Sequence, residues 1–246
     1  MVVKDLYRNA GVEVASSFTF DDEALLAALK RIYGKEIDPK GTIDEELFRA
    51  VLSVFDQAIG EGFAGVPVGD RDTDFREAIR KNNAIFSAFK VHRLQGDVAA
   101  QLLDENGGLK SFEQWLRDVD DILDHHVGSW LQTEYNTAVM RANQAADWRQ
   151  FEREADILPN LRWNESTSIT PGLDHQIFWG RIFRIDHPFW SEHRPGDRWG
   201  CKCSLSATAE PETDNRDLRA DTEKPSPGLG GNPAFTAKLF SDDHPY

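Results

Sequence analysis

The sequence predicts an α+β protein that is mainly α. N-terminal helices and a long helical hairpin precede a small β/loop-rich module with a Cys-x-Cys motif and an extended C-terminal tail. Three observations predict this. Apolar residues recur at helical spacing up to about residue 156. After Pro159 the spacing gives way to short alternating runs separated by Gly and Pro. Beyond Thr208 the chain turns polar and rich in Pro and Gly. The corresponding divisions are 1–70 (N-terminal helical region), 71–156 (helical hairpin), 157–209 (Trp/Cys-rich module) and 210–246 (linker and tail).

Taken in order, Ala24, Leu25, Leu26, Leu29 and Ile32 make a short amphipathic helix that ends at Gly34. Thr42 followed by Glu45 has capping-box spacing and opens a second helix carrying Leu47, Val51, Val54, Phe55 and Ile59. Gly60, Gly62, Gly65 and Pro67 are expected to break the chain. A third helix is expected from about Asp74 to Leu103, with Gly96 a candidate kink and the turn from Asp104 to Gly108 its stop. Ser111 with Gln114 is a second capping-box spacing. It starts the longest pattern, from Leu116 to about Phe151, which Gly128 can split. The alanines near its end would let another element approach closely. Next come a short strand at 161–164 and an alternating strand over Phe178–Ile185. The final segment regains Phe235, Leu239, Phe240 and Tyr246, so it is expected to dock back onto the body.

Composition excludes several classes of function. The chain has 246 residues, 40% of them hydrophobic, with a net charge of −14. That suits a globular protein and argues against broad binding of nucleic-acid phosphates. No run of about 18 apolar residues is present, so no membrane span is expected. The start lacks a basic region followed by an apolar one, so no secretory signal is expected. The acidic excess lies in the first 156 residues and the tail, whereas 157–209 is close to neutral. An acidic body with a neutral, Arg- and Trp-rich module favours a protein partner over DNA.

Residues 175–203 gather Trp179, Trp190, Trp199, His175, His187, His193 and the two cysteines, Cys201 and Cys203. Zinc held by Cys201, Cys203 and one of these histidines is one reading. Against it, a single intervening residue points the thiols awkwardly for one metal, and no second Cys pair follows. The alternative is a pair of buried thiols beside Trp199. A nucleophilic Cys with His175 or His193 and Asp174 or Asp186 is a further inventory, but no nucleophile motif surrounds it. His125 and His126 read as one solvated and one partly buried residue, and the nearby aspartates as a solvated helix face. No catalytic, cofactor or metal residue is therefore assigned. Trp190 is expected to fill the module's core.

The order His175, Gly180, Asp186-His187-Pro188-Phe189-Trp190, Pro195-Gly196-Asp197 and Trp199-Gly200-Cys201-Lys202-Cys203 resembles the phage Mu F-like head morphogenesis family, related to the SPP1-type head morphogenesis proteins. The resemblance covers about residues 75–246. Its motif residues are His175, Gly180, Asp186, Pro188, Phe189, Trp190, Pro195, Trp199, Gly200, Cys201 and Cys203. His187 stands where the pattern often has a second Asp, and Lys202 where Arg is commoner. Some branches carry a His ahead of the paired cysteines, where this chain has Trp199. The resemblance implies a non-enzymatic minor head protein of a phage or prophage, made in the host cytoplasm. It would sit near the portal in few copies per particle, bind portal protein or major capsid protein, and act in prohead assembly and DNA packaging or ejection. Two alternatives are a carrier module for a C-terminal toxin or nuclease domain, and a zinc-dependent hydrolase.

Overall fold

The computed structural model describes residues 17–64, 72–218 and 224–246. The turn expected at Gly65 and Pro67 lies outside the described residues. The fold is α+β, with helices through the first two thirds of the chain and a small antiparallel sheet after them. Two compact units divide the chain. The first holds the described residues up to Gln57, Ala84–Asn136 and Tyr246, and the second holds Ala58–Asn83 and Thr137–Pro245.

In the first unit, α1 (Asp22–Tyr33) starts where the Asp21 carboxylate accepts the Ala24 N–H at 2.9 Å. It buries Ala24, Ala28, Leu29 and Ile32 and leaves Leu26 exposed. Helix α2 (Glu45–Gly62) is not capped by Thr42. The Thr42 hydroxyl donates to the Asp38 carbonyl at 2.8 Å, and Asp44 accepts the Leu47 N–H at 3.0 Å instead. Asp44 wins because it precedes the helix directly and because Arg31 holds both its oxygens, at 2.6 and 2.8 Å. The buried Gln95 side chain completes the corner. It accepts the Asp44 N–H at 2.7 Å and donates to the Thr42 carbonyl at 2.9 Å.

Helix α3 (Thr73–Ala99) passes through Gly96 and stops four residues before Leu103. Bonds from Gln101 to Val98 and from Leu102 to Ala99 close its end, and the expected turn follows at Asp104–Gly108, where the Asp104 N–H bonds the Gly108 carbonyl at 2.8 Å. The pattern that follows is three helices. They are α4 (Phe112–Asp118), α5 (Asp120–Val127) and α6 (Ser129–Glu154). Ser111 caps α4 as expected, accepting the Gln114 N–H at 3.3 Å. The break at Gly128 also follows the sequence, since a β-carbon there would lie 2.3 Å from Asp124 Oδ1. The break at Val119 carries no sequence signal. Val119 is fully buried, as is Trp115, whose indole donates to the Val98 carbonyl at 2.8 Å.

Lys90 of α3 and Glu134 of α6 form a buried ion pair at 2.8 Å. Lys90 also donates to the Tyr246 hydroxyl at 3.0 Å and lies 4.5 Å from the centre of its ring. His126 packs against the same ring, at 5.3 Å, and contacts Asp97 through Nε2 at 3.2 Å. Its neighbour His125 is exposed.

In the second unit, α2 does not break at Gly60 or Gly62 but ends on Gly62. That residue lets the helix press against α6. A β-carbon there would sit 2.5 Å from that of Ala142 and 2.6 Å from the Val139 carbonyl. The alanines of α6 thus receive the close neighbour their size suggests, with Ala138, Ala142 and Ala145 fully buried. After α6 come β1 (Asn160–Asn164), a 3-10 turn at Gln176–Phe178, β2 (Ile182–Arg184), α7 (Phe189–Glu192), β3 (Ser204–Thr208) and α8 (Pro233–Thr236). The sheet order is β2-β1-β3, all antiparallel, with Leu161 opposite both Phe183 and Ala207. The strand expected over Phe178–Ile185 is shorter, because Gly180 at φ +74° turns the chain just before Ile182.

The described part of the polar tail up to Leu218 is tied to the sheet. Thr213 bonds both backbone groups of Ile182, and Glu212 accepts the Arg184 N–H, so the tail covers the outer edge of β2. Leu229, Leu239 and Phe240 are buried, the docking expected of the closing segment, whereas Phe235 is 54% exposed. No helix among the described residues is long and apolar enough to cross a membrane.

His126 gives the first unit a pH dependence. Burial, and then the nearby Lys90 charge, push its pKa down to about 4, against the pull of Asp97. Between pH 6.5 and 4 the unfolded chain therefore takes up a proton that the folded chain refuses, so stability falls as pH drops through that window. The loss should reach up to about 3 kcal/mol. Denaturant titrations at pH 7 and 4.5 should show a smaller loss for His126→Gln than for the parent chain. An equal loss would mean that His126 does not contribute.

Candidate functional site

The Trp/Cys-rich module is built around an aromatic interior. Trp163 projects from β1, and its ring lies 4.8 Å from Phe178 and 6.4 Å from Trp190, stacked with the latter. Phe183 of β2 stacks on Phe189 of α7 at 4.2 Å. Trp190 is fully buried, meets Trp148 of α6 edge-on at 6.1 Å, and donates its indole N–H to the Arg184 carbonyl at 2.8 Å. These rings fill a core and are not offered as surface anchors. Trp199 stands apart, stacked on Phe240 at 6.1 Å with His244 edge-on at 5.8 Å.

The motif residues play different parts. Gly180, Gly196 and Gly200 all sit at positive φ. At Gly196 a β-carbon would also strike the Met140 side chain at 2.8 Å. Pro188 precedes α7, which places Phe189 and Trp190 toward the core. Pro195 is buried in the turn leading to Gly196. Asp186 pairs with Arg184 at 3.0 Å on the surface, away from the thiols.

Asp197, fully buried, is the centre of the polar network. Its Oδ1 meets His175 Nε2 at 2.6 Å and Arg198 Nη1 at 3.3 Å. Its Oδ2 has the Arg194 N–H at 3.4 Å and His193 Nδ1 at 3.7 Å. Burial, the largest single influence, would raise the Asp197 pKa, but the contacts with His175 and His193 and the charges of His175 and Arg198 together outweigh it and hold the carboxyl below its usual range. His175 is pushed up to about 9: burial opposes the charge, while Asp197 and then Cys203 favour it.

On its other face, His175 Nδ1 meets Cys201 Sγ at 3.2 Å and Cys203 Sγ at 3.8 Å. The single residue between the cysteines therefore does not splay them, and both thiols turn to one imidazole. His175 is the shared neighbour of the two thiols, and Trp199 lines the same cavity beside them. The Cys201 thiol donates toward Cys203, which raises the pKa of Cys201 and lowers that of Cys203 to about 4. His175, Trp163 and Trp179 add to the lowering at Cys203. The indole nitrogens of Trp163 and Trp179 are buried and have no oxygen or nitrogen acceptor. Their orientation toward sulfur explains both observations.

Two buried arginines, which the sequence reading overlooked, hold the module together. Arg141 of α6 donates to five backbone carbonyls: Leu239 at 2.6 Å, Gly196 at 2.8 Å, Leu229 at 2.9 Å, Gly231 at 3.2 Å and Gly230 at 3.3 Å. Burial lowers its pKa to about 10, with Asp197 acting against the fall. Arg194 bonds the Asn232 side-chain oxygen and lies 6.0 Å from the Trp148 ring. Its pKa drops to about 9 through burial and the Arg141 charge. The only hint in the sequence was an arginine among alanines on a helix face that buries its neighbours.

Arg141→Lys should be destabilising by roughly 3 kcal/mol or more, because an ammonium has three donors for five buried acceptors. Denaturation midpoints should fall, and limited proteolysis should newly cut within residues 226–241. Unchanged protection there would mean that the clamp is dispensable. Trp190→Ala should cost about 3–5 kcal/mol. A fully stable variant would place that ring outside the core.

Among curated proteins, the Mu-like prophage FluMu F protein of Haemophilus influenzae is 29% identical over 89 residues, or 36% of this chain. The match spans only 22% of that protein's own length. No solved structure matches the chain. The family model described as Phage Mu protein F like protein matches residues 100–206, from just after α3 through most of β3 and including both cysteines, so this segment is similar to that family.

Proposed function

We propose that this chain is a minor head protein acting in head morphogenesis of a Mu-like phage or prophage. In this reading it binds portal protein, major capsid protein or both, in few copies per particle, and has no catalytic role. The observation that carries the reading is the family match over residues 100–206, the segment that builds the sheet and the thiol cluster.

The physical character of the chain supports it. The net charge of −14 opposes capture by packaged DNA. The aromatic rings of the module are spent on its own core, so a partner would meet other side chains. Ile157, Ile169 and Leu173 are 78–91% exposed on segments flanking the sheet, and they suit the apolar part of a protein interface. The tied-down tail and the five-carbonyl arginine clamp provide a rigid mount, which limits the ordering cost of association.

Co-expression with the portal and major capsid proteins from the same phage genome tests the reading. The chain should co-purify with at least one of them, and mass spectrometry of purified particles should detect it at low copy number. Absence from particles, together with no association with either protein, would rule the reading out.

A further inference from the structure

We propose that His175, Cys201 and Cys203 form a binding site for a borderline-soft divalent cation, zinc above all. The inference stands on the geometry of the module and goes beyond the head-protein reading.

The three ligand atoms converge. His175 Nδ1, Cys201 Sγ and Cys203 Sγ all lie within 4.8 Å of one another. Zinc bonds of about 2.3 Å to sulfur and 2.0–2.1 Å to nitrogen, meeting tetrahedrally, put sulfur and nitrogen roughly 3.6 Å apart. The two observed separations, 3.2 and 3.8 Å, bracket that value. A small displacement of one thiol would make room for an ion at the centre. Two thiolates and an imidazole are the donor set that selects zinc over magnesium or calcium, which prefer oxygen.

The surroundings fit a metal site as well. His175 turns Nε2 to the fully buried Asp197 at 2.6 Å, which fixes the ring and leaves Nδ1 facing the sulfurs. A carboxylate behind a ligating imidazole is the usual outer-shell arrangement. The indole nitrogens of Trp163 and Trp179 are buried beside the cluster without an oxygen or nitrogen acceptor. A single nucleophilic cysteine would explain the pairing of His175 with Asp197, but not a second thiol held on the same imidazole. A metal explains both.

Among the described residues no fourth His, Cys, Asp or Glu joins the set. Asp174 lines the adjoining cavity, but its carboxylate is engaged by Arg198 at 2.8 Å. The cavity, about 410 Å³, also reaches Ser166, Ser168 and Cys201, so the fourth position is open to water. The ion would clip the turn before the 3-10 helix to the approach of β3. That closes a loop whose ends are otherwise joined by hydrogen bonds alone.

The test uses the full chain without an affinity tag, reduced, loaded with zinc or cobalt and freed of excess by gel filtration. Elemental analysis should find close to one zinc per chain. The cobalt form should show thiolate-to-metal charge-transfer absorption and the intense visible bands of tetrahedral coordination. Cys201→Ser, Cys203→Ser and His175→Ala should each lower zinc affinity at least tenfold, whereas His193→Ala, which touches Asp197 but no ligand, should keep the ion. Asp197→Asn should weaken binding about 10–100-fold without abolishing it. The parent chain alone decides the matter if variants misfold. Less than a tenth of an equivalent of zinc, with no cobalt charge-transfer band, overturns the site. So does full zinc retention by the Cys201→Ser, Cys203→Ser double variant.

Discussion

The C-terminal half of the second unit depends on one buried guanidinium. Arg141 reaches from α6 to carbonyls at Gly196, Leu229, Gly230, Gly231 and Leu239, three stretches of chain that share no strand or helix. Those carbonyls would be costly to bury unpaired. Arginine is suited to them because its planar fork carries five donors and no acceptor. The absence of an acidic side chain among its direct partners has a consequence. The charge is balanced at longer range by Asp197, so the clamp and the thiol network are electrostatically linked. The Gly196 carbonyl ties them covalently too, one residue before Asp197.

That link explains why Asp197 stays ionised in a fully buried position. An isolated carboxylate there would be protonated. His175, Arg198 and the more distant Arg141 and Arg194 supply the positive charge that offsets its desolvation. The balance runs in both directions, since the carboxylate also keeps the two arginines charged. Taking away Asp197 would leave His175 and the two arginines without their shared counter-charge, so the module's interior is electrostatically coupled through that one carboxylate.

How much of this could be read from the sequence depends on the range of the cause. Local causes were legible. The Ser111 cap, the break at Gly128 and the burial of Trp190 each follow from neighbouring residues or from size. Helix α1 and the docking of Leu239 and Phe240 follow from apolar spacing. Where two local signals competed, the long-range contact decided. Asp44 displaced Thr42 as a cap because Arg31 and Gln95 reach it from other helices, and Gly62 served close packing against Ala142 where a chain break was expected. The Phe178–Ile185 alternation was read as one strand, since nothing local shows that Gly180 must turn. At the site, the motif residues were visible but their geometry was not. A Cys-x-Cys spacing says where two backbones lie, and only the turn at Gly200 and the placement of His175 bring both sulfurs to one nitrogen.

The buried Lys90–Glu134 pair in the first unit follows a different logic. Removing two charges from water costs several kcal/mol per ion, and their attraction at 2.8 Å offsets this only with further partners. Tyr246 provides one, accepting from Lys90 while its ring lies beneath the ammonium. Burial still lowers the lysine pKa and raises that of the glutamate, so the pair adds little net stability over apolar residues of similar size. What it adds is selectivity. An apolar face on α3 and α6 could slide by a turn and still be buried, but a slid Lys90 or Glu134 would leave a charge unpaired in the interior. The pair therefore fixes the register of the two helices where they meet and holds the half-buried Tyr246 beside it.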